Sequence, residues 1–230
     1  MDVRKSTSSS LANVIAYALI GAIAFVIMKF EFPIMPGVSF LKFDFSDVII
    51  TIGTFVFGAV PGIIIALVRM ALGLILGGFA LPSVVGQLAA FFASLAFALP
   101  FYFIAKSVEA ENRKSIKGYL LPVVGLLVGI VAMSAVMALA NAFVLTPVYA
   151  VTSLTSTSVP VNSYGNLLYV AEHDYLQGML HLQSMSAYIF GIIVPFNLIK
   201  GAINAVVVYL LFESVLKNIK PYVRKRFNLN

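Results

Sequence analysis

Three polar side chains inside one long apolar stretch are the residues of this sequence best placed to bind a ligand. The stretch, residues 188–212, reads YIFGIIVPFNLIKGAINAVVVYLLF. It is long enough to cross a bilayer as a helix, because about 20 apolar residues span the hydrocarbon core. Asn197, Lys200 and Asn204 share one helical face through their i, i+3, i+7 spacing. Pro195 removes a backbone donor beside that face and frees a carbonyl there. An ammonium near the membrane centre costs at least ~2.5–3.5 kcal/mol, so it normally faces a partner or a cavity. The pattern predicts one wall of a binding site.

Two further polar side chains are expected at a similar depth in the membrane. Asn141 lies near the end of the apolar segment 119–145, and Gln87 lies near the start of the segment 83–105. Side chains on a helix tilt towards its N-terminus, so Asn141 and Lys200, on helices of opposite direction, tilt towards each other. Hydrogen bonds between helices, worth ~0.6 kcal/mol each, are the alternative explanation. The convergence favours a ligand site.

Motifs of catalysis and energy conversion are missing from the sequence. It contains no HExxH, GxSxG or Walker A motif, and its apolar segments hold neither histidine nor paired carboxylates. His173 and His181 lie in a polar segment, where solvated histidines are far commoner than metal ligands. Because the chain has no cysteine, disulfides and thiolate metal sites are excluded. We therefore expect no catalytic residue and no metal site, and energy for any uphill transport must come from another protein.

The elements that carry these side chains are predicted to be membrane helices. Hydrophobic residues make up 61% of the 230-residue chain and charged residues 10%, which is typical of an all-α membrane protein that crosses the bilayer several times. The net charge of +6 could suggest nucleic acid, but the lysines and arginines flank apolar segments, as they do in cytoplasmic loops. The composition predicts a lipid bilayer as partner and no nucleic acid.

Six transmembrane helices are predicted within a single membrane domain, residues 1–230. The second is short and is separated from the third by a turn at Pro61–Gly62, so tilt or burial in the bundle is expected. Arg69, inside the third, is as readily explained by snorkelling or a carbonyl partner as by function. The Lys and Arg bias places both termini on the cytoplasmic side. The spans are about 11–30, 48–60, 62–76, 83–105, 119–145 and 187–212, and the outer segments are 31–47, 77–82 and 146–186.

Small residues in the first span are spaced for close helix packing. Ala18 and Ala22 are four residues apart, as are Ala12 and Ala16. Such pairs allow two helices to approach closely, but alanine is also the best helix former. The spacing alone leaves both explanations open.

Several motifs resemble those of one transporter family, the riboflavin-specific S-components of energy-coupling factor (ECF) transporters. The segments FPIMPGVSFLKFDFSD and FVFGAVPGIIIALVR are similar to its FP…LKxDFSD…FGPxAG signature. GQLAAF at 86–91 resembles GELANF, Asn141 with the following TPVY resembles an N…PxY stretch, and PFNLIKG at 195–201 resembles PFNxxKG. The similarity covers most of 11–217. It departs at Gln87, at Ala90, at Arg69–Met70 and in a longer 146–186 segment.

The resemblance implies an ECF S-component-like bundle of six helices in a prokaryotic plasma membrane. Such a subunit captures riboflavin from outside and delivers it inward with a transmembrane coupling protein and two ATPases, so it is not itself an enzyme and has no cofactor beyond the transported riboflavin. Carried over to this sequence, the resemblance assigns Ala18 and Ala22 to the coupling protein. The substrate-binding residues that it implies are Leu41, Lys42, Phe43, Asp44, Asn141, Asn197 and Lys200.

Three alternatives remain open at this stage. The first is an S-component for another vitamin. The second is a membrane enzyme that uses Lys200 or Arg69 to hold a phosphorylated or carboxylated substrate, and the third is a scaffold subunit.

Overall fold

Helices account for nearly all of the chain that the structure describes. The structure is a computed structural model that describes residues 3–33 and 42–227; Leu41, one of the expected binding residues, lies outside them. The helices are α1 (Val3–Met28), α2 (Ser46–Phe57), α3 (Ala59–Gly77), α4 (Leu81–Ala105), α5 (Ile116–Ala140), α6 (Thr146–Ser153), α7 (Tyr164–Val170), α8 (Met185–Tyr188), α9 (Val194–Ser214) and α10 (Lys220–Phe227). Between α1 and α2, the two-residue strands β1 (Phe32–Pro33) and β2 (Lys42–Phe43) pair antiparallel, with Phe32 opposite Phe43.

Five helical stretches among the described residues are long and apolar enough to cross a membrane. They are Leu11–Met28, Ala59–Gly77, Leu81–Ala105, Ile116–Ser153 and Met185–Phe227. Helix α2 has 12 residues, and at 1.5 Å per residue it measures about 18 Å, less than the ~30 Å hydrocarbon core. Most of its residues are buried, so it lies among the longer helices of the bundle.

The break between α2 and α3 lies at Gly58, and the prediction of a turn at Pro61–Gly62 is wrong. Gly58 has φ +109°, in a region that side-chain-bearing residues rarely adopt, and it ends α2. Pro61 instead falls in the first turn of α3. Proline is tolerated there because the first backbone N–H groups of a helix have no acceptor within the helix.

The helical stretch that begins with α5 does not end at 145, where a loop was expected to begin. It passes through a π-helical turn, Asn141–Leu145, directly into α6. Pro147 has no N–H to donate to the carbonyl of Phe143 four residues earlier, and the hydroxyl of Tyr164 donates to that carbonyl at 2.7 Å. A side chain from α7 thus replaces the missing backbone hydrogen bond. The segment 146–186 also contains a π-helical stretch, Ala171–Met179.

The bundle core is aromatic and closely packed. Phe55 of α2, Phe101 of α4 and Phe212 of α9 have ring centroids 4.9–5.5 Å apart, distances typical of stabilising aromatic pairs. Helices α4 and α5 approach so closely that a Cβ on Gly129 would lie 2.5 Å from the carbonyl oxygen of Phe97. This closely packed region joins the helices that carry the polar side chains.

Candidate functional site

A cavity of about 320 Å³ opens at the end of the bundle that carries the β1–β2 hairpin. Its volume falls at the lower end of the usual range for small-molecule sites. Part of the wall is apolar and includes Met28, Met133, Met137, Leu145 and Phe196. The rest is polar and includes Lys42, Asp44, Gln87, Asn141, Asn197 and Lys200. A small molecule with both apolar and polar surface fits such a lining.

Lys200 of α9 reaches two carboxylates at the N-terminus of α2. Its Nζ lies 2.9 Å from Oδ2 of Asp44 and 3.4 Å from Oδ2 of Asp47, and its side chain is 16% exposed. A cation this far from water persists only with such compensation. The contact joins the last long helix to the segment after the hairpin, more than 150 residues earlier.

Asp44 is held in its charged form by two neighbours. Burial, the largest single influence, raises the pKa of its carboxyl, but the Lys200 ammonium and a hydrogen bond from Ser46 outweigh burial and lower the pKa below 3.8 overall. The backbone N–H of Ser46 donates to Oδ1 at 2.8 Å while Lys200 donates to Oδ2. Both oxygens of Asp44 are therefore engaged.

A second set of buried polar groups lies beneath Lys200 and centres on Asp47. The hydroxyl of Ser94 donates to Oδ1 of Asp47 at 2.6 Å, and the amide of Asn204 donates to Oδ2 at 3.3 Å. Arg69, 2% exposed, donates to the Ser94 hydroxyl at 3.2 Å and to the sulfur of Met28 at 3.4 Å. These contacts link α1, α2, α3, α4 and α9. Two carboxylates and two cations are thus buried together.

Two asparagines lie on the cavity wall with their amide groups partly used. Asn141 and Asn197 each donate, at 2.8 Å, to the carbonyl four residues earlier in the helix, Met137 and Ile193 respectively. The Oδ1 atom of Asn141 is buried and accepts no hydrogen bond from the residues that the structure describes. Oε1 of Gln87 is in the same condition. A buried acceptor without a donor is costly, and the oxygen of Gln87 packs against Gly73 of α3.

The binding residues implied by the resemblance divide into three groups. Lys42, Asp44, Asn141, Asn197 and Lys200 all line the cavity. Phe43 does not line it. Its ring is buried between Phe32 and Phe45, with ring centroids 5.4 and 4.9 Å away, so it supports the hairpin beside the cavity. Leu41 is the residue outside the described part of the chain.

The α1 residues assigned to the coupling protein lie away from the cavity. Ala18 is exposed and Ala22 is half-buried, while Gly21 and Ala24 of the same helix are buried. The two alanines therefore belong to the outward face of α1. In the described part of the chain, no group of three or more His, Cys, Asp or Glu residues is arranged to hold a metal ion. His173 stacks on the ring of Tyr169 instead.

Asp47, Arg69 and Ser94 were not among the expected site residues. For Arg69, snorkelling or a carbonyl partner was as good an explanation as a functional role. The available signal was charge inside a membrane segment, which usually indicates a buried partner. The sequence could not identify that partner, because 22 positions separate Asp47 from Arg69 and Ser94 lies on a third helix.

Comparison with known proteins finds similarity along nearly the whole chain. A family model described as the substrate-specific component of ECF transporters matches residues 13–212. The riboflavin transporter RibU of Staphylococcus aureus (strain TCH60) is 31% identical over 217 residues, which cover 94% of this chain and 97% of that protein. The riboflavin transporter FmnP of Bacillus subtilis (strain 168) is 29% identical over 221 residues, covering 93% and 95%.

A solved structure extends the similarity to the fold. It is described as the S component of a bacterial ECF transporter, and it matches with a TM-score of 0.58 and 30% sequence identity, covering 92% of this chain and 99% of that chain. Sequence and fold agree over the same residues, and the chain belongs to the family of substrate-specific components of ECF transporters.

Proposed function

We propose that this chain is the riboflavin-binding S component of an ECF transporter, which captures the vitamin from outside and releases it inward. The observation that carries the proposal is the cavity in which Lys200, Asn141 and Asn197 face an apolar wall, in a chain whose relatives are named riboflavin transporters. The chain is a component of a transporter and not an enzyme.

The chemistry of riboflavin matches this lining. Its ring system offers flat apolar faces, carbonyl oxygens and ring nitrogens along the edge, and a ribityl chain with hydroxyl groups. Met133, Met137 and Phe196 would pack against the ring faces. The amide side chains of Asn141, Asn197 and Gln87 on the cavity wall would exchange hydrogen bonds with the polar edge and the hydroxyl groups of the vitamin.

Lys200 is the proposed donor to the acceptor edge of the ring. An ammonium has three donor positions, and even if Asp44 and Asp47 each take one, the third remains for the ligand. The two carboxylates hold the ammonium in place before the ligand arrives. A donor positioned in advance loses little entropy on binding.

The chain is a multi-pass protein of the prokaryotic plasma membrane, and we propose six crossings with both termini inside. Helix α2 would be the short crossing. Among the described residues, the end of the bundle opposite the cavity carries most of the lysines and arginines, as cytoplasmic ends do; they include Lys106, Arg113, Lys114, Lys117, Lys217, Lys220, Lys225 and Arg226. The cavity would then open on the outer side.

Transport is proposed to depend on an ECF module, a transmembrane coupling protein with two ATPases. The sequence contains no nucleotide-binding motif. The face of α1 with Ala18 and Ala22 is the proposed contact with the coupling protein, since small residues let another helix approach closely.

The proposal is tested on the purified protein. We expect mass spectrometry of protein purified without added ligand to identify riboflavin, and titration with riboflavin to give saturable quenching of flavin fluorescence. An exposed lysine, Lys217, provides the control: Lys217→Ala should bind as the wild type does, while Lys200→Ala should bind more weakly. Recovery of a different vitamin, or no saturable binding of riboflavin, would overturn the assignment.

A further inference from the structure

The charged side chains that line the cavity add up to no net charge. Among the lining residues that the structure describes, three are anionic and three are cationic: Glu31, Asp44 and Asp47 against Lys42, Arg69 and Lys200. The stretch 34–41, which the structure does not describe, contains no Asp, Glu, Lys or Arg. It therefore cannot alter this sum.

The six charges are arranged as opposite pairs at three depths. Glu31 and Lys42 form an ion pair at the mouth, with side chains 32% and 44% exposed. Lys200 and Asp44 form the middle pair. The deepest pair is Asp47 and Arg69, joined through the Ser94 hydroxyl. Solvent and salt screen charges least where burial is greatest, so the deepest pair has the strongest influence on a bound ligand.

Arg69 balances a carboxylate that would otherwise leave the cavity negative. Without its guanidinium, Asp44 and Asp47 would face Lys200 alone at the inner end. Every lining cation that the structure describes already lies close to a carboxylate or to the hydroxyl bound to one. A ligand that carries negative charge would thus leave water without gaining a surplus cation, which is unfavourable. An uncharged ligand avoids that cost.

We propose that Arg69 is a specificity-determining residue. By balancing Asp47 it keeps the cavity neutral, and the neutral cavity selects uncharged riboflavin over a flavin that carries a phosphate group. A phosphate monoester adds a charge of about −1.5 to −2 at pH 7. This inference rests on the proposed function and adds a physical basis for discrimination among flavins.

The first test changes the charge at the deepest pair and measures the ratio of two dissociation constants. The ratio is the Kd for riboflavin 5′-phosphate divided by the Kd for riboflavin. Both constants are measured by competition titrations followed by flavin fluorescence. Arg69→Gln makes the cavity net negative and should raise the ratio at least about tenfold, whereas Asp47→Asn makes it net positive and should lower the ratio by a similar factor. Arg69→Gln combined with Asp47→Asn restores neutrality and should return the ratio to within about threefold of wild type. Arg69→Lys keeps the charge and should behave like wild type.

The second test uses the exposed mouth pair, where substitutions are tolerated more readily than in the core. Glu31→Gln and Lys42→Gln change the charge at one place by opposite signs. They should shift the ratio in opposite directions by about threefold at low salt, and the shifts should vanish near 0.5 M NaCl because exposed charges are screened. This arm tests the inference even if Arg69→Gln does not fold.

The outcomes separate the two proposals. If the wild-type protein does not bind riboflavin, the proposed function fails and this inference fails with it. If riboflavin binds but the ratio moves in the same direction for Arg69→Gln and Asp47→Asn, charge balance does not determine specificity. Equal shifts for the two mouth variants would refute it in the same way.

Discussion

Replacing Lys200 should separate its role in holding Asp44 from its role in binding riboflavin. In Lys200→Ala, the carboxylate of Asp44 loses its partner at 2.9 Å and Asp47 loses one at 3.4 Å. Removing one member of a buried ion pair costs ~3–5 kcal/mol, because the remaining charge is left uncompensated. We therefore expect a clear fall in the melting temperature.

The affinity for riboflavin should fall in the same variant. A hydrogen bond from a charged donor is worth ~1.5–3 kcal/mol, which corresponds to an increase of about 10- to 150-fold in Kd. Lys217→Ala is the matched control, since Lys217 is exposed and pairs with Glu213 at the far end of the same helical stretch. A surface pair of this kind contributes at most ~1 kcal/mol.

A charge-balanced double variant distinguishes the two effects. Lys200→Ala with Asp44→Asn removes one cation and one anion, so no net charge is left buried. The melting temperature should recover most of its loss, because the uncompensated charge is gone. Riboflavin binding should stay weak, because the donor to the ring is still missing.

Two measurements on detergent-purified protein separate the stabilising role of Lys200 from its role in binding. They are thermal unfolding and titration followed by quenching of flavin fluorescence. Unchanged affinity in Lys200→Ala would refute the assignment of Lys200 as a ligand donor. Full recovery of affinity in the double variant would show that Lys200 acts only by holding Asp44.

Three further predictions concern the partner surface, the topology and acid stability. Leu at both Ala18 and Ala22 should abolish riboflavin uptake in cells that contain an ECF module, while the purified variant still binds riboflavin in fluorescence titration; uptake that persists would assign the coupling surface elsewhere. In this cysteine-free chain, Ser156→Cys should react with a membrane-impermeant thiol reagent on intact cells and Ser107→Cys only after lysis, and the reverse pattern would invert the proposed topology. The pKa of Asp44 is lower in the folded protein than the ordinary value of 3.8, so the ionised carboxylate stabilises the folded state above pH 3.8. This contribution is lost as the pH falls through the folded-state pKa. The gap in melting temperature between wild type and Asp44→Asn should therefore be large at pH 7 and close below pH 3.8, and a gap independent of pH would contradict this cause.

The long apolar helices could be predicted from the sequence, and their ends could not. Runs of about 20 apolar residues have few alternatives to a membrane helix. The predicted boundary between α2 and α3 was wrong because the sequence contains two possible helix breaks, at Gly58 and at Pro61–Gly62. Only the positive φ of Gly58 in the structure distinguishes them, since proline fits the first turn of α3.

The prediction of a loop over the polar segment 146–186 was wrong for a different reason. Its Ser, Thr and Asn content indicates a loop, yet much of it is helical. Contacts far apart in sequence compensate for its weak helix propensity, as where Tyr164 satisfies the carbonyl that Pro147 leaves free. Propensity is a weak guide wherever tertiary contacts of this kind decide the structure.

Part of the candidate site followed from helical periodicity. The spacing of Asn197 and Lys200 placed them on one face, and the structure has both in the lining of one cavity with Asn141; their contact with a ligand stays a prediction. The partnership of Arg69 with Asp47 depends on how α2, α3 and α4 are rotated about their axes. Residue spacing within one helix carries no information about that rotation.

The continuous helix formed by α5 and α6 has a geometric consequence. Ile116–Ser153 has 38 residues, about 57 Å at 1.5 Å per residue, whereas the hydrocarbon core is ~30 Å thick. Even at a tilt of ~20°, roughly 20 Å of this helix must stand clear of the acyl chains. Asn141 and Tyr149, which line the cavity, lie in its final third. In the proposed orientation the α6 end of this helix faces outward, so a water-soluble vitamin would reach the cavity from the aqueous medium without first dissolving in lipid.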